Sequence, residues 1–176
     1  MTVWTLRHPP VDRQGRCIGQ TVIETTIPAA VAVRRALDRA PLRPGRLFSS
    51  TLPRCAELAH GLAEAWSMSV HTDPRLREMH FGEWEGRTYD EIDAEDGLRW
   101  RTWCADWRNA TPPGGESLDA FVARISAWLD DQAPTANDAI VTHAGVVRVF
   151  RVLSGSGWEE AMAVDNPFLG WTEHSL

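Results

Sequence analysis

Two hydrophobic periods alternate along the chain. Residues 1–6 are small and apolar, with β-branched Thr2, Val3 and Thr5, and predict a buried strand. Residues 46–50, 68–72 and 139–142 predict three more short strands, and residues 168–171 a last one near the end. Between them the spacing turns helical. Pro28 opens a helix over residues 29–40 that Pro41 and Pro44-Gly45 stop. A helix built on Ala and Leu follows over residues 56–66, with Ser50 or Thr51 as its cap. Thr88-Tyr89-Asp90-Glu91 has the capping-box form and starts another helix, along which Trp100, Trp103 and Trp107 recur until Pro112-Pro113-Gly114-Gly115. Leu118, Phe121, Val122, Ile125 and Leu129 mark a helix over residues 117–131, and shorter ones are predicted over 146–153 and 158–164.

Two stretches follow neither period. Residues 11–26 carry Gly15, Gly19 and scattered polar groups, and predict a loop that folds back over the mouth of a site. Residues 75–86 mix charges with aromatics and glycines, as a loop lining a cleft would. Strands that alternate with helices imply an α/β fold: a three-layer α/β/α sandwich with a mostly parallel central sheet, in one domain spanning residues 1–176.

Such a sheet gathers its ligands at the carboxyl ends of its strands. The first strand runs into Arg7-His8 at a turn forced by Pro9-Pro10, and the strand at 139–142 delivers His143-Ala144-Gly145. The strand at 46–50 leads to Arg54 in the first turn of the next helix, where a cation opposes the helix dipole. A bound anion resolves that conflict and also the mutual repulsion of Arg7, His8, Arg54 and His143. Phosphate suits the cluster best, because Arg binds it bidentately and each charge-assisted hydrogen bond is worth about 1.5–3 kcal/mol.

Composition narrows the partners. At 176 residues the chain can bury roughly 70% of its unfolded surface and needs no metal or disulfide to fold. A net charge of −6 argues against a nucleic-acid binder, and no stretch approaches membrane length. Arg7 comes too early for a signal peptide, and Cys17, Cys55 and Cys104 are few and not spaced as metal ligands, so a soluble cytoplasmic protein is expected. His60, His71, His80 and His174 share no spacing with Cys or acidic groups and suggest no metal site. Trp100, Trp103 and Trp107, flanked by Arg99, Arg101 and Arg108, either pack a helix into the core or roof an aromatic substrate.

Leu6-Arg7-His8-Pro9-Pro10, Ser49-Ser50-Thr51-Leu52-Pro53-Arg54-Cys55, Leu76-Arg77-Glu78-Met79-His80-Phe81-Gly82-Glu83-Trp84-Glu85-Gly86 and Thr142-His143-Ala144-Gly145 resemble, in this order, the four motifs of the histidine phosphatase (phosphoglycerate mutase-like) superfamily. The resemblance runs from the first strand to about Leu153. Arg-His-Pro-Pro, the loop from Gly15 to Gly19 with its Cys17, and Pro112-Pro113-Gly114-Gly115-Glu116-Ser117 are most similar to the α-ribazole phosphatase branch, which acts in cobalamin assembly.

The resemblance implies a phosphomonoester hydrolase, monomer or homodimer, that needs neither metal nor cofactor and acts on a small phosphorylated metabolite such as α-ribazole 5′-phosphate. It implies that His8 is the nucleophile, its inner ring nitrogen oriented by a backbone carbonyl just downstream. Arg7, Arg54 and His143 would hold the phosphate oxygens. Glu78 matches the family's proton donor, with Glu83 and Glu85 ranked behind it. Two positions depart from the pattern: the common Arg-His-Gly is Arg-His-Pro here, and the Asn that usually follows a few residues later is replaced by Gln14 or one of its neighbours. A phosphoglycerate mutase-type transfer is the nearest alternative, disfavoured because the chain lacks long insertions that would exclude water. A catalytically silent protein that binds a phosphorylated ligand is the other.

Overall fold

In the strands, apolar residues point to both faces, because helices cover the sheet on both sides. In a computed structural model, which describes residues 2–176, β1 (Thr2–Arg7), β2 (Arg46–Ser50), β3 (Val70–Asp73) and β4 (Asp138–Thr142) lie parallel in the order β3-β2-β4-β1. β5 (Trp171–Ser175) closes the far edge antiparallel to β1. Val3, Phe48 and Ile140 face α4 (Leu118–Gln132) and α5 (Ala144–Leu153), packing with Phe121, Ile125, Trp128 and Phe150. Leu6, Leu47, Ala139 and Val141 face α1 (Ala29–Asp38) and α2 (Pro53–Trp66), packing with Ala36, Leu58 and Leu62. The three-layer α/β/α sandwich expected from the alternation is therefore what forms.

Several boundaries moved, each for a local reason. Met1, placed at the head of the first strand, lies outside the described residues. β1 runs on to Arg7, because Arg7 still pairs with Thr142 of β4. α2 starts at Pro53, three residues early, since proline occupies its first turn and needs no donor there. Neither Ser50 nor Thr51 caps it; its N-cap is Leu52, whose N–H donates to Ser50 Oγ at 3.2 Å. α5 begins at Ala144, directly after His143. The last strand lies at Trp171–Ser175, because Pro167, Leu169 and Gly170 are spent on a turn in which Leu169 adopts a φ of 57°.

α3 (Tyr89–Ala105) starts with the expected capping box, Thr88 and Glu91 bonding reciprocally. It breaks at Asp96, whose carboxylate accepts Trp84 Nε1 at 2.8 Å, and it ends before Trp107. α6 (Trp158–Ala163) packs on α5 and meets Trp107 edge-on, ring centroids 5.5 Å apart. Among the described residues no helix is long and apolar enough to cross a membrane.

Trp128 is fully buried and stands edge-on to Phe48 of the sheet, centroids 5.1 Å apart. Trp128→Ala should cost about 3–5 kcal/mol, seen as a lowered urea midpoint at unchanged slope. A loss below about 1 kcal/mol would mean that this face of the sheet does not carry the core.

Candidate active site

The β1–β4 register fixes the centre of the site. Arg7 pairs with Thr142, and the His8 N–H continues the ladder to the Thr142 carbonyl at 2.9 Å, so His8 and His143 leave neighbouring strands side by side. Their ring centroids are 5.1 Å apart, and both side chains are buried. His8 Nδ1 lies 2.7 Å from the Pro9 carbonyl. A carbonyl only accepts, so Nδ1 carries the proton and Nε2 keeps its lone pair. On the next strand Ser50 Oγ meets His143 Nε2 at 2.9 Å. Thus β1, β2 and β4 each contribute to one edge.

Arg54 arrives from the first turn of α2 and is buried. Its Nη1 donates to the Thr21 carbonyl at 2.9 Å and its Nη2 to the Gly19 carbonyl at 2.5 Å, while Nε has no partner among the described residues. The 11–26 loop thus folds back onto the sheet edge. Glu85 ties it down, accepting from the N–H groups of Gly19, Gln20 and Thr21 on one loop and Phe81 on the other. Gly19 must be glycine, since a Cβ would stand 2.1 Å from the Met79 carbonyl oxygen.

Arg7 completes the cluster. Its Nη1 donates to the Asn166 carbonyl and its guanidinium lies over the Phe168 ring, 3.8 Å from the centroid, with Nε unpartnered among the described residues. Phe168 also flanks His8, centroids 5.5 Å apart.

Of the three candidate carboxylates, Glu78 is the one that reaches this edge. It is buried, with Oε2 accepting the Gly145 N–H at 3.0 Å and Oε1 the Met79 N–H at 3.1 Å. Arg124 and Gln20 hold its backbone carbonyl, at 3.0 and 3.1 Å. Glu83 instead pairs with Arg99 at the surface, and Glu85 is used in binding the two loops together.

Burial sets the electrostatics. It pushes His8 well below its ordinary 6.5, and the charges of Arg54, Arg7 and Arg13 add to this against the opposing pull of the Pro9 carbonyl. His143 falls the same way, through burial first and then His8, Arg54, Arg124 and Arg7. Arg7 is pushed down to about 10 by burial and then Arg13, and stays cationic at neutral pH. Glu85 is held below its usual value: burial works to raise it, but the hydrogen bonds from Thr21, Phe81, Gln20 and Gly19 outweigh that. Two neutral imidazoles and the unpartnered Nε groups of Arg7 and Arg54 therefore share one buried edge, which favours an anion.

Beside this edge lies a cavity of about 370 Å³ that shares Glu78, Ala144 and Gly145 with it and is walled by Phe81, Trp100, Trp103, Trp107 and Trp158; Arg7, His8, Arg54 and His143 do not line it. The tryptophan stripe does both things expected of it as alternatives. Trp100 and Trp103 stack on each other and pack edge-on against buried Trp84, yet they also line the cavity.

Of Gln14 and its neighbours one faces the cavity, and three further contributors were not legible in the sequence. Gln14 is exposed and bonds to Asp12, whereas its neighbour Arg13 faces the cavity. Arg148, one turn along α5 from Ala144, also lines it; helical spacing from Ala144 could have suggested this residue. The backbone carbonyl of Asn166 and the Phe168 ring come from a tail with no motif.

Residues 3–166 match the family model of the histidine phosphatase superfamily (branch 1). The adenosylcobalamin/alpha-ribazole phosphatase of Salmonella typhimurium is 32% identical over 155 residues, which span 84% of this chain and 76% of that protein. The glucosyl-3-phosphoglycerate phosphatase of Mycobacterium tuberculosis is 33% identical over 132 residues, 67% of this chain and 56% of that protein. Among solved structures, the alpha-ribazole phosphatase from Shigella flexneri superposes with a TM-score of 0.85 at 26% identity, covering 98% of this chain and 89% of that one. A family match running from β1 past α6, on a fold whose strand ends gather two histidines and two arginines, means that this chain belongs to the histidine phosphatase superfamily, branch 1, and is a phosphatase of a small phosphorylated substrate.

Proposed function

We propose that the enzyme hydrolyses phosphomonoesters in two displacements through a phosphohistidine on His8, with no metal. Nε2 of His8 attacks phosphorus while the P–O bond to the alcohol breaks, and Glu78 gives its proton to the departing oxygen. Water then attacks the phosphohistidine, Glu78 takes its proton, and the P–N bond breaks to release inorganic phosphate. Arg7, Arg54 and His143 hold the equatorial oxygens, where positioning and charge supply most of the catalysis. One observation carries the reading: the Pro9 carbonyl accepts from Nδ1 of a buried, neutral His8, leaving Nε2 as a free nucleophile beside guanidinium N–H groups that lack acceptors among the described residues.

The finer assignment is α-ribazole 5′-phosphate. It is supported by similarity to enzymes named for that substrate and by an aromatic cavity of a size to take a flat leaving group. A panel of phosphorylated metabolites, including α-ribazole 5′-phosphate and the phosphoglycerates, decides it.

Hydrolysis of p-nitrophenyl phosphate should survive excess EDTA. His8→Ala should lower kcat by about 10³-fold or more and Glu78→Gln by about 10²–10⁴-fold. Rapid quenching of wild type should trap acid-labile, base-stable phosphate on the protein. Loss of activity in EDTA, or full activity of His8→Ala, would overturn the mechanism.

Gly145 tests the placement of Glu78. A Cβ there would meet Glu78 Oε1 at 2.0 Å and Cδ at 3.0 Å, so the buried carboxylate must leave the Gly145 and Met79 N–H groups. Gly145→Ala should therefore lower Tm modestly, by about 1–3 kcal/mol of stability, and lower kcat by about tenfold or more, through displacement of the acid.

Stability should follow three buried imidazoles, those of His8, His143 and His174. Their folded values lie below 6.5, so between the folded and unfolded values the unfolded chain binds more protons and stability falls as pH drops. The limiting slope is about 1.4 kcal/mol per pH unit per histidine. Thermal unfolding of the unliganded protein should show a Tm lower at pH 5 than at pH 7, in wild type and in His174→Gln alike, and a flat profile in His174→Gln would show that His8 and His143 are not buried neutral.

A further inference from the structure

Two cations at the cavity remain unexplained by the hydrolytic machinery. Arg13 and Arg148 both line it, one from the 11–26 loop and one from α5. Neither side chain forms a hydrogen bond or an ion pair among the described residues, and the Nε of Arg148 is buried without an acceptor. Three neighbouring acids are already engaged, and a fourth, Asp165, bears on Arg7. Asp12 spends its oxygens on Gln14, Glu78 on Gly145 and Met79, and Glu85 on the loop N–H groups. By contrast Arg87, Arg99, Arg101 and Arg108, on or near the outer surface of the same region, all hold carboxylates. A guanidinium left without an anion at the rim of a cavity walled by tryptophans costs desolvation and gains nothing until a ligand arrives.

We propose that Arg13 and Arg148 form a second anion subsite, so that a phosphomonoester whose leaving group joins a flat apolar ring to a carboxylate or a second phosphate gains affinity there over one without the second anion. The phosphoryl group sits at His8, the ring lies against Trp100, Trp103 and Trp107, and the second anion turns back to the two arginines. Burial lowers Arg7 most, but Arg13 and Arg148 both add to it against Glu78 and Asp165, so the two arginines lie within electrostatic reach of the edge that holds Arg7. The proposal rests on His8 as the place of the phosphoryl group, but not on which metabolite is the natural substrate. A leaving group without a second anion, as in α-ribazole 5′-phosphate, would use the aromatic wall and leave the arginines unpaired.

The test compares phenyl phosphate with its ortho, meta and para carboxyphenyl counterparts, which differ only in the added carboxylate. At least one isomer should exceed phenyl phosphate in kcat/KM by about tenfold, mostly through KM. In Arg13→Gln and Arg148→Gln that ratio should fall to within about twofold of unity. A wild-type ratio near unity for all three isomers would overturn the subsite. So would variants that lose phenyl phosphate and carboxyphenyl phosphate activity alike, because the arginines would then serve the transferred phosphoryl group itself. Calorimetry on His8→Ala, which binds without turnover, separates the two proposals: if wild type hydrolyses none of the esters the catalytic reading fails, while tighter binding of a carboxyphenyl phosphate than of phenyl phosphate still supports the subsite and equal binding refutes it.

Discussion

Positive charge held out of water without matching negative charge is the constraint that shapes this protein. His8, His143, Arg54 and much of Arg7 are buried at one sheet edge, and Glu78, the buried carboxylate beside them, has its oxygens engaged by backbone N–H groups. The fold meets the cost in two ways. It keeps both imidazoles neutral, and it gives the arginines carbonyl oxygens in place of carboxylates, at Gly19, Thr21 and Asn166. Carbonyls satisfy N–H groups but do not cancel charge, so the edge stays poised for an anion.

Holding such an edge together needs rigid support from segments with no regular structure. The 11–26 loop and the loop following β3 bind each other through Glu85, whose carboxylate gathers four backbone N–H groups from both. Close approach is possible because Gly19 lacks a side chain, and Glu78 reaches the start of α5 because Gly145 does. These are constraints of space at a site, distinct from the packing of the two sheet faces. The core residues on those faces would serve any three-layer α/β protein; the glycines serve this one.

The tryptophans show how core and site share residues. Trp84 is fully buried and anchors the break of α3 through Asp96, and Trp100 and Trp103 pack on it while exposing their other faces to the cavity. A wall built this way is stiff, since its rings have little freedom to leave. It places flat apolar surface where the ester's alcohol portion would extend from a phosphoryl group at His8.

Periodicity was enough to specify the α/β alternation, the capping box at Thr88 and the two histidines at strand ends, because side-chain period and turn chemistry are local properties of the chain. Motif order was enough to gather Arg7, His8, Arg54, Glu78 and His143 as candidates. What the sequence could not decide were matters of register and distance. That Arg13 and not Gln14 faces the cavity depends on a left-handed turn at Gln14, and that Glu85 binds loops while Glu78 lines the site depends on which carboxylate meets Gly145. Even the 5.1 Å between His8 and His143 follows from the pairing of Arg7 with Thr142, residues 135 positions apart whose neighbourhood exists only once the sheet has formed.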